Sequence, residues 1–192
     1  MLLLASASPA RHSLLEQVGI PHRIQISGFD EALIVEPNPL MLVQRLANAK
    51  AEKIMLQLTK DNWPRFGVLG CDSSFIFDGQ TFGKPADRDE AISRWLKMSG
   101  QWGELVTGHS LSFFQGQDLV HCRATIMTRI KFVDVSHSEI RSYVESGEPL
   151  QCAGGFALDG RGGQYIERIE GCYSNVIGLS LPWLRAQLNK LS

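Results

Sequence analysis

The run Gly67-Val68-Leu69-Gly70-Cys71-Asp72-Ser73-Ser74-Phe75-Ile76-Phe77 constrains the fold more than any other stretch, because Asp72 is its single charge. An otherwise uncharged run of this kind reads as a strand covered on both faces. A carboxylate inside it is costly unless it is paired or bound to a metal. Asp72 is therefore either a buried acid that caps nearby backbone groups or a member of a functional site, where such charges cluster.

The rest of the chain alternates strands with helices around that run. Leu2–Ala5 reads as a short buried strand. Ser8 and Pro9 follow as the N-cap and first residue of a helix that carries Leu14, Leu15 and Val18 and stops at Gly19. Ile24–Ile26 reads as a second strand, and a helix is expected from about Leu40 to Leu58, after Pro37 and Pro39. Asp78-Gly79 is a hairpin turn, and residues 87–98 are helical up to Ser99-Gly100. Residues 105–114 and 125–133 read as strands, and Ser136 with Glu139 forms a capping box opening a helix to Ser146. Glycine-rich loops and short strands fill residues 153–179, and Ser180 and Pro182 start a closing helix. Interleaved helices and strands with hairpins give an α/β fold with a mixed sheet. No repeat or linker divides the chain, so residues 1–192 read as one domain.

The net charge of −1 argues against a protein of bulk nucleic acid, which needs a basic surplus. No apolar run is long enough to span a bilayer, and Met1-Leu2-Leu3-Leu4-Ala5 lacks a basic n-region, so a cytoplasmic protein without membrane contact is expected. Cys71, Cys122, Cys152 and Cys172 are too scattered for a disulfide framework or a zinc site.

Five positions carry chemistry. The strand that runs into Ser6-Ala7-Ser8-Pro9-Ala10-Arg11 presents a helix start, two hydroxyls and a guanidinium, which together suit a phosphate; the plainer reading is capping alone. Lys50 falls on the same helical stripe as Val43, Ala47, Ile54 and Leu58, so it needs an anionic partner, a carboxylate or a phosphate, unless it snorkels past the core edge. Lys84 follows the hairpin in an extended conformation imposed by Pro85, and is otherwise an ordinary loop lysine. Asp30-Glu31 is a weak signal alone, since adjacent acids commonly lie in solvent. Together these are the parts for phosphoryl chemistry with a hard divalent cation, without a P-loop, a G-x-S-x-G or an H-E-x-x-H. The histidines show no ligand spacing and read as structural or surface groups.

In their order along nearly the whole chain, several short pieces resemble the Maf family. These are Leu4-Ala5-Ser6-Ala7-Ser8-Pro9-Ala10-Arg11, Glu31, Leu46-Ala47-Asn48-Ala49-Lys50-Ala51, Gly70-Cys71-Asp72 and Gly83-Lys84-Pro85. Ser99-Gly100-Gln101, Thr107-Gly108, Glu148-Pro149, Ala153-Gly154 and Val176-Ile177-Gly178-Leu179 continue the series. The resemblance implies an elongated mixed sheet flanked by helices, with two lobes around a cleft, similar to inosine triphosphate pyrophosphatases. It implies cleavage of a nucleoside triphosphate to monophosphate and pyrophosphate with Mg²⁺ or Mn²⁺, a house-cleaning activity on the nucleotide pool, in a protein that is often a homodimer. It assigns Asp72, Glu31, Lys50 and Lys84 to catalysis, Glu31 and Asp72 to the metal, and Ser6, Ser8, Arg11, Ser73 and Asp159 to the substrate. Ala10, Ser73 and Asp159 depart from the members acting on thymidine and uridine triphosphates. Cys152 and Asp159 look closer to relatives acting on 7-methyl-GTP, although those carry tryptophan at the Ala10 position. A modified or purine base is therefore expected. The alternative is a nucleotide-binding regulator of cell division without significant turnover.

Overall fold

The computed structural model describes residues 1–59 and 62–191. Their order is β1 (Leu2–Leu4), α1 (Pro9–Gln17), β2 (His22–Ile24), α2 (Pro39–Met55), β3 (Val68–Phe77), β4 (Gln80–Phe82), α3 (Arg88–Met98) and β5 (Trp102–Gln115), then β6 (Asp118–Phe132), α4 (His137–Glu145), β7 (Ile166–Glu170), α5 (Tyr173–Ile177) and α6 (Leu181–Leu188). The strands form one seven-stranded sheet in the order β2-β1-β3-β5-β6-β7, with β4 paired to β3. β1 is parallel to both β2 and β3, whereas β3–β4 and β6–β7 are antiparallel, so the sheet is mixed. Among the described residues no helix is long and apolar enough to cross a membrane.

The chain divides into two compact units. The first comprises Met1–Asp72, Thr107–Ile126 and the segment from Gly178 onward; the second comprises Ser73–Val106 and Met127–Ile177. The first unit has an aliphatic core in which Leu3, Ala5, Ala51, Ile54 and Val68 pack together. Two glycines let α2 lie almost on the backbone of the sheet: a Cβ at Gly70 would strike the Ala47 carbonyl, and one at Gly108 the Val43 carbonyl. This close approach aligns α2 with the β3 segment that ends at Asp72. The second unit is aromatic, with Trp95 set edge-on against Phe132, Tyr143 and Tyr165, and Phe75 against Phe132 and Phe156. The indole N–H of Trp95 is satisfied by the Gly155 carbonyl at 2.8 Å.

Local signals place most elements as read from the sequence. Ser8, Asn38, Asp87, Ser136 and Ser180 each cap a helix, and the box between Ser136 and Glu139 is reciprocal. Gly19 takes φ +66°, and α1 has already ended at Gln17, leaving Val18 as an exposed C-cap rather than a core residue. The second strand lies two residues earlier than expected, because its register is set by parallel pairing of Leu2–Leu4 with His22–Ile24; Ile26 is left exposed. β5 and β6 are longer than read, 14 and 15 residues, since pairing across a hairpin extends both strands past their apolar stretches. The glycine-rich region holds 3₁₀ turns and the short helix α5 beside one strand, where only loops and strands were read.

Candidate active site

In the first unit, β1 delivers the chain to the start of α1. The Ser8 hydroxyl accepts from the Arg11 N–H at 3.4 Å, so Ser8 caps the helix. Ser6 is buried, and its hydroxyl accepts from the Ser8 N–H at 3.2 Å and from Arg11 Nη1 at 3.0 Å. Arg11 is itself buried, with Nε donating to the Gly178 carbonyl at 2.8 Å. The two hydroxyls and the guanidinium read as a phosphate cradle are thus brought together, and the hydroxyls also organise the helix start.

Lys50 has carboxylate partners. From the core-facing side of α2 its Nζ meets Asp72 Oδ1 at 2.5 Å and Glu31 Oε1 at 2.7 Å. The Lys50 and Asp72 side chains are 13% and 12% exposed against 58% for Glu31, so the cluster reaches water on the glutamate side. Glu31 heads a 3₁₀ turn, Glu31–Leu33, capped by Asp30, whose carboxylate accepts from the Ala32 N–H. One helical turn beyond Lys50, the Lys53 ammonium donates to the Gly28 carbonyl at 2.5 Å and ties down the approach to that turn. Adjacent acids that read weakly therefore divide the work: Asp30 builds the turn and Glu31 faces the lysine.

Burial pushes the Asp72 carboxyl above its ordinary value of 3.8; the Lys50 and Arg11 charges oppose the rise without cancelling it, and Glu31 adds to it. The group is an acid held in low dielectric beside cations, which suits a base. Next to it, burial pushes the Cys71 thiol up to about 11, and in the second unit the Cys152 thiol likewise to about 11, so neither is a ready nucleophile. All four cysteines are free.

The remaining expected residues lie in the second unit. Ser73 is half-buried and follows Asp72 directly on β3. Lys84 and Asp159 are exposed. Both charges act on the Cys152 thiol, Asp159 raising its pKa and Lys84 lowering it. The Lys84 loop is held through the Gly83 carbonyl, which accepts from Arg94 Nη1 at 2.7 Å and from the Gly154 N–H at 3.2 Å. The loop bearing Asp159 is held by Glu148, which accepts from Tyr143 Oη at 2.6 Å and from the N–H groups of Arg161 and Gly162, both at 2.9 Å.

Three contributors were not singled out for a role. Gly70 permits the approach of α2 to β3; its signal is a glycine inside a strand pattern. Gly178, at φ +117°, turns its carbonyl to Arg11, and His109 is fully buried beside that segment. Neither partnership has a local signal, because the partners are distant in sequence, although Gly178 stands in one of the family-like pieces.

Among the described residues no three His, Cys, Asp or Glu side chains converge on one point as a metal cage would require. The acid pair nonetheless suits a hard divalent ion. Two carboxylates from separate segments already converge on one cationic centre. Such ions bind through one or two carboxylates and complete their shell with water and phosphate oxygens. Charge points the same way: within this cluster the two cations, Arg11 and Lys50, are matched by the two acids, Glu31 and Asp72, so a bound triphosphate calls for further positive charge.

A family described as Maf-like protein matches residues 1–191. A nucleoside triphosphate pyrophosphatase of Synechococcus sp. (strain WH7803) is 57% identical over 189 residues, covering 98% of this chain and 98% of that protein. Another with the same name, from Prochlorococcus marinus (strain MIT 9303), is 55% identical over 98% of this chain and 97% of its own length. One from Parasynechococcus marenigrum (strain WH8102) is 54% identical over 98% of this chain and 94% of its own.

Proposed function

Because the chain belongs to the Maf-like protein family, we propose that it is a nucleoside triphosphate pyrophosphatase whose hydrolytic centre is the Asp72–Lys50–Glu31 cluster. The observation that carries the reading is Lys50 bridging two carboxylates at 2.5 and 2.7 Å, one of them buried and pushed up in pKa. Asp72 takes the proton from the water that attacks the α-phosphorus; the bond from that phosphorus to the bridging oxygen breaks, and pyrophosphate leaves. Arg11, aligned by Ser6 and Gly178, and the N–H groups at the start of α1 bind phosphate oxygens. Lys50 keeps Asp72 ionised and neutralises charge as it builds on the phosphates. Glu31 and Asp72 would hold Mg²⁺ or Mn²⁺, which supplies further neutralisation of the triphosphate and polarises its phosphoryl oxygens.

The base is a purine or a modified purine such as a 7-methylated guanine. Support comes from Asp159, an exposed acid on a tightly held loop, which can accept from the N–H edge of guanine or offset a cationic base. Incubating the protein with ordinary and modified nucleoside triphosphates and Mg²⁺ or Mn²⁺ in ¹⁸O-water tests the whole reading. The expected products are unlabelled pyrophosphate and a monophosphate carrying the label. Orthophosphate as the first product would overturn the chemistry. Saturable binding without product would favour the nucleotide-binding regulator.

A further inference from the structure

Within the first unit, His109 of β5 is fully buried, and both ring nitrogens are engaged. Nδ1 faces the Ala124 carbonyl at 3.3 Å, and Nε2 faces the Ser180 N–H at 2.9 Å. A carbonyl can only accept and an amide N–H can only donate, so the ring carries its proton on Nδ1 and leaves Nε2 bare. The Trp183 ring packs on it with centroids 4.9 Å apart. Ser180, the residue anchored in this way, also caps α6 through the Trp183 N–H. Two residues earlier, Gly178 directs its carbonyl to Arg11 Nε at 2.8 Å. Gly178 has φ +117° and no side chain to hold it, so the direction of that carbonyl depends on the backbone beyond it.

We infer that His109 is a positioning residue: an uncharged imidazole that, through Ser180 and Gly178, holds the Arg11 guanidinium in register with Ser6 for the phosphates of the substrate. This rests on the reading of Arg11 as a phosphate ligand. An imidazolium would set an N–H against the Ser180 N–H and add a second positive charge near Arg11. Burial, the largest influence, carries the His109 pKa down to about 4, and Arg11 pushes in the same direction, so the ring is neutral at working pH.

A double-mutant cycle on pyrophosphate release tests the inference. His109→Leu keeps bulk and removes the acceptor, whereas His109→Gln offers a carbonyl oxygen to the Ser180 N–H. Arg11 binds phosphate in ground and transition states alike, so its misalignment raises KM more than it lowers kcat. The expected result for His109→Leu is a KM rise of about five- to tenfold with kcat within about twofold, largely rescued in His109→Gln. In an Arg11→Met background the same leucine change is expected to cost less than about twofold. An equal loss in both backgrounds, or no change in KM beside an intact Arg11, would overturn the inference by reducing His109 to a packing residue. Should His109→Leu fail to fold, His109→Asn, too short to reach Ser180, replaces it in the cycle and is judged by the same outcomes. An unchanged KM in Arg11→Met alone would instead remove Arg11 from substrate binding, so the two failures are distinguishable.

Discussion

Asp72 in the first unit and Glu148 in the second are both partly or fully withdrawn from water, yet their carboxyl groups are driven in opposite directions. Burial raises Asp72, and Lys50 and Arg11 only moderate the rise. Burial also acts to raise Glu148, but hydrogen bonds from the Tyr143 hydroxyl and the N–H groups of Arg161 and Gly162 together outweigh it and leave the group below its ordinary value. Asp72 is matched by the cationic side chains of Lys50 and Arg11, which can also serve phosphate; Glu148 is matched chiefly by the dipoles of a hydroxyl and two backbone N–H groups. The first arrangement leaves a base available for chemistry, and the second spends its carboxylate on fixing a loop. The cores agree with this division. Aromatic packing around Trp95 and Phe75 frames the second unit, while the Lys50 cluster lies in the first unit beside an aliphatic core.

The comparison breaks most readily at Asp72. Asp72→Asn is expected to lower kcat for pyrophosphate release by about 10²- to 10⁴-fold, measured in steady state. Its stability should not fall. A folded-state pKa raised above the unfolded value gives stability that is present below the unfolded pKa and is lost as pH rises through the folded pKa. At neutral pH the ionised Asp72 is therefore a cost, and the amide should melt at or above the wild-type temperature. Glu148→Ala is the converse. It strands the Tyr143 hydroxyl and two N–H groups, and should reduce unfolding free energy by about 2–3 kcal/mol in urea denaturation while kcat changes less than about threefold.

Acid separates the two sites again. Because Asp72 must be ionised to act as a base, log kcat/KM should fall as pH drops through a value above 3.8, and Lys50→Met, which removes the largest opposing charge, should move that limb upward. The lowered pKa of Glu148 has the opposite linkage: its contribution to stability is present above the unfolded pKa and is lost as pH falls below about 4.5, toward the lower folded value. The smallest effect is expected from Tyr143→Phe. Loss of one hydroxyl that donates to Glu148 and accepts from the Ala157 N–H should cost about 1 kcal/mol in the same denaturation assay.

What was legible in the sequence was local or periodic. Asp72 stood out as the one charge in an apolar run, Lys50 as the wrong residue on a core stripe, and Ser8-Pro9 as a helix start; the fold places each accordingly. Glu31 was faint because its meaning depends on Lys50, which reaches it from another element. The roles of His109, Gly178 and Glu148 were illegible for the same reason, although Gly178 and Glu148 stood in pieces that resemble the family. Arg11 meets Gly178 across 167 positions and Ser180 meets His109 across 71, distances over which no pattern of spacing survives. The displaced β2 and the extended β5–β6 hairpin follow suit, since strand ends are set by partners and not by the strand's own apolar residues.

The most direct trial sets Asp72→Asn beside Glu148→Gln on one triphosphate with the metal ion present, reading initial rates of pyrophosphate formation from folded protein. The account predicts a collapse of turnover in the first and near wild-type turnover in the second. Comparable rates in both variants, or a greater loss in Glu148→Gln, would contradict it.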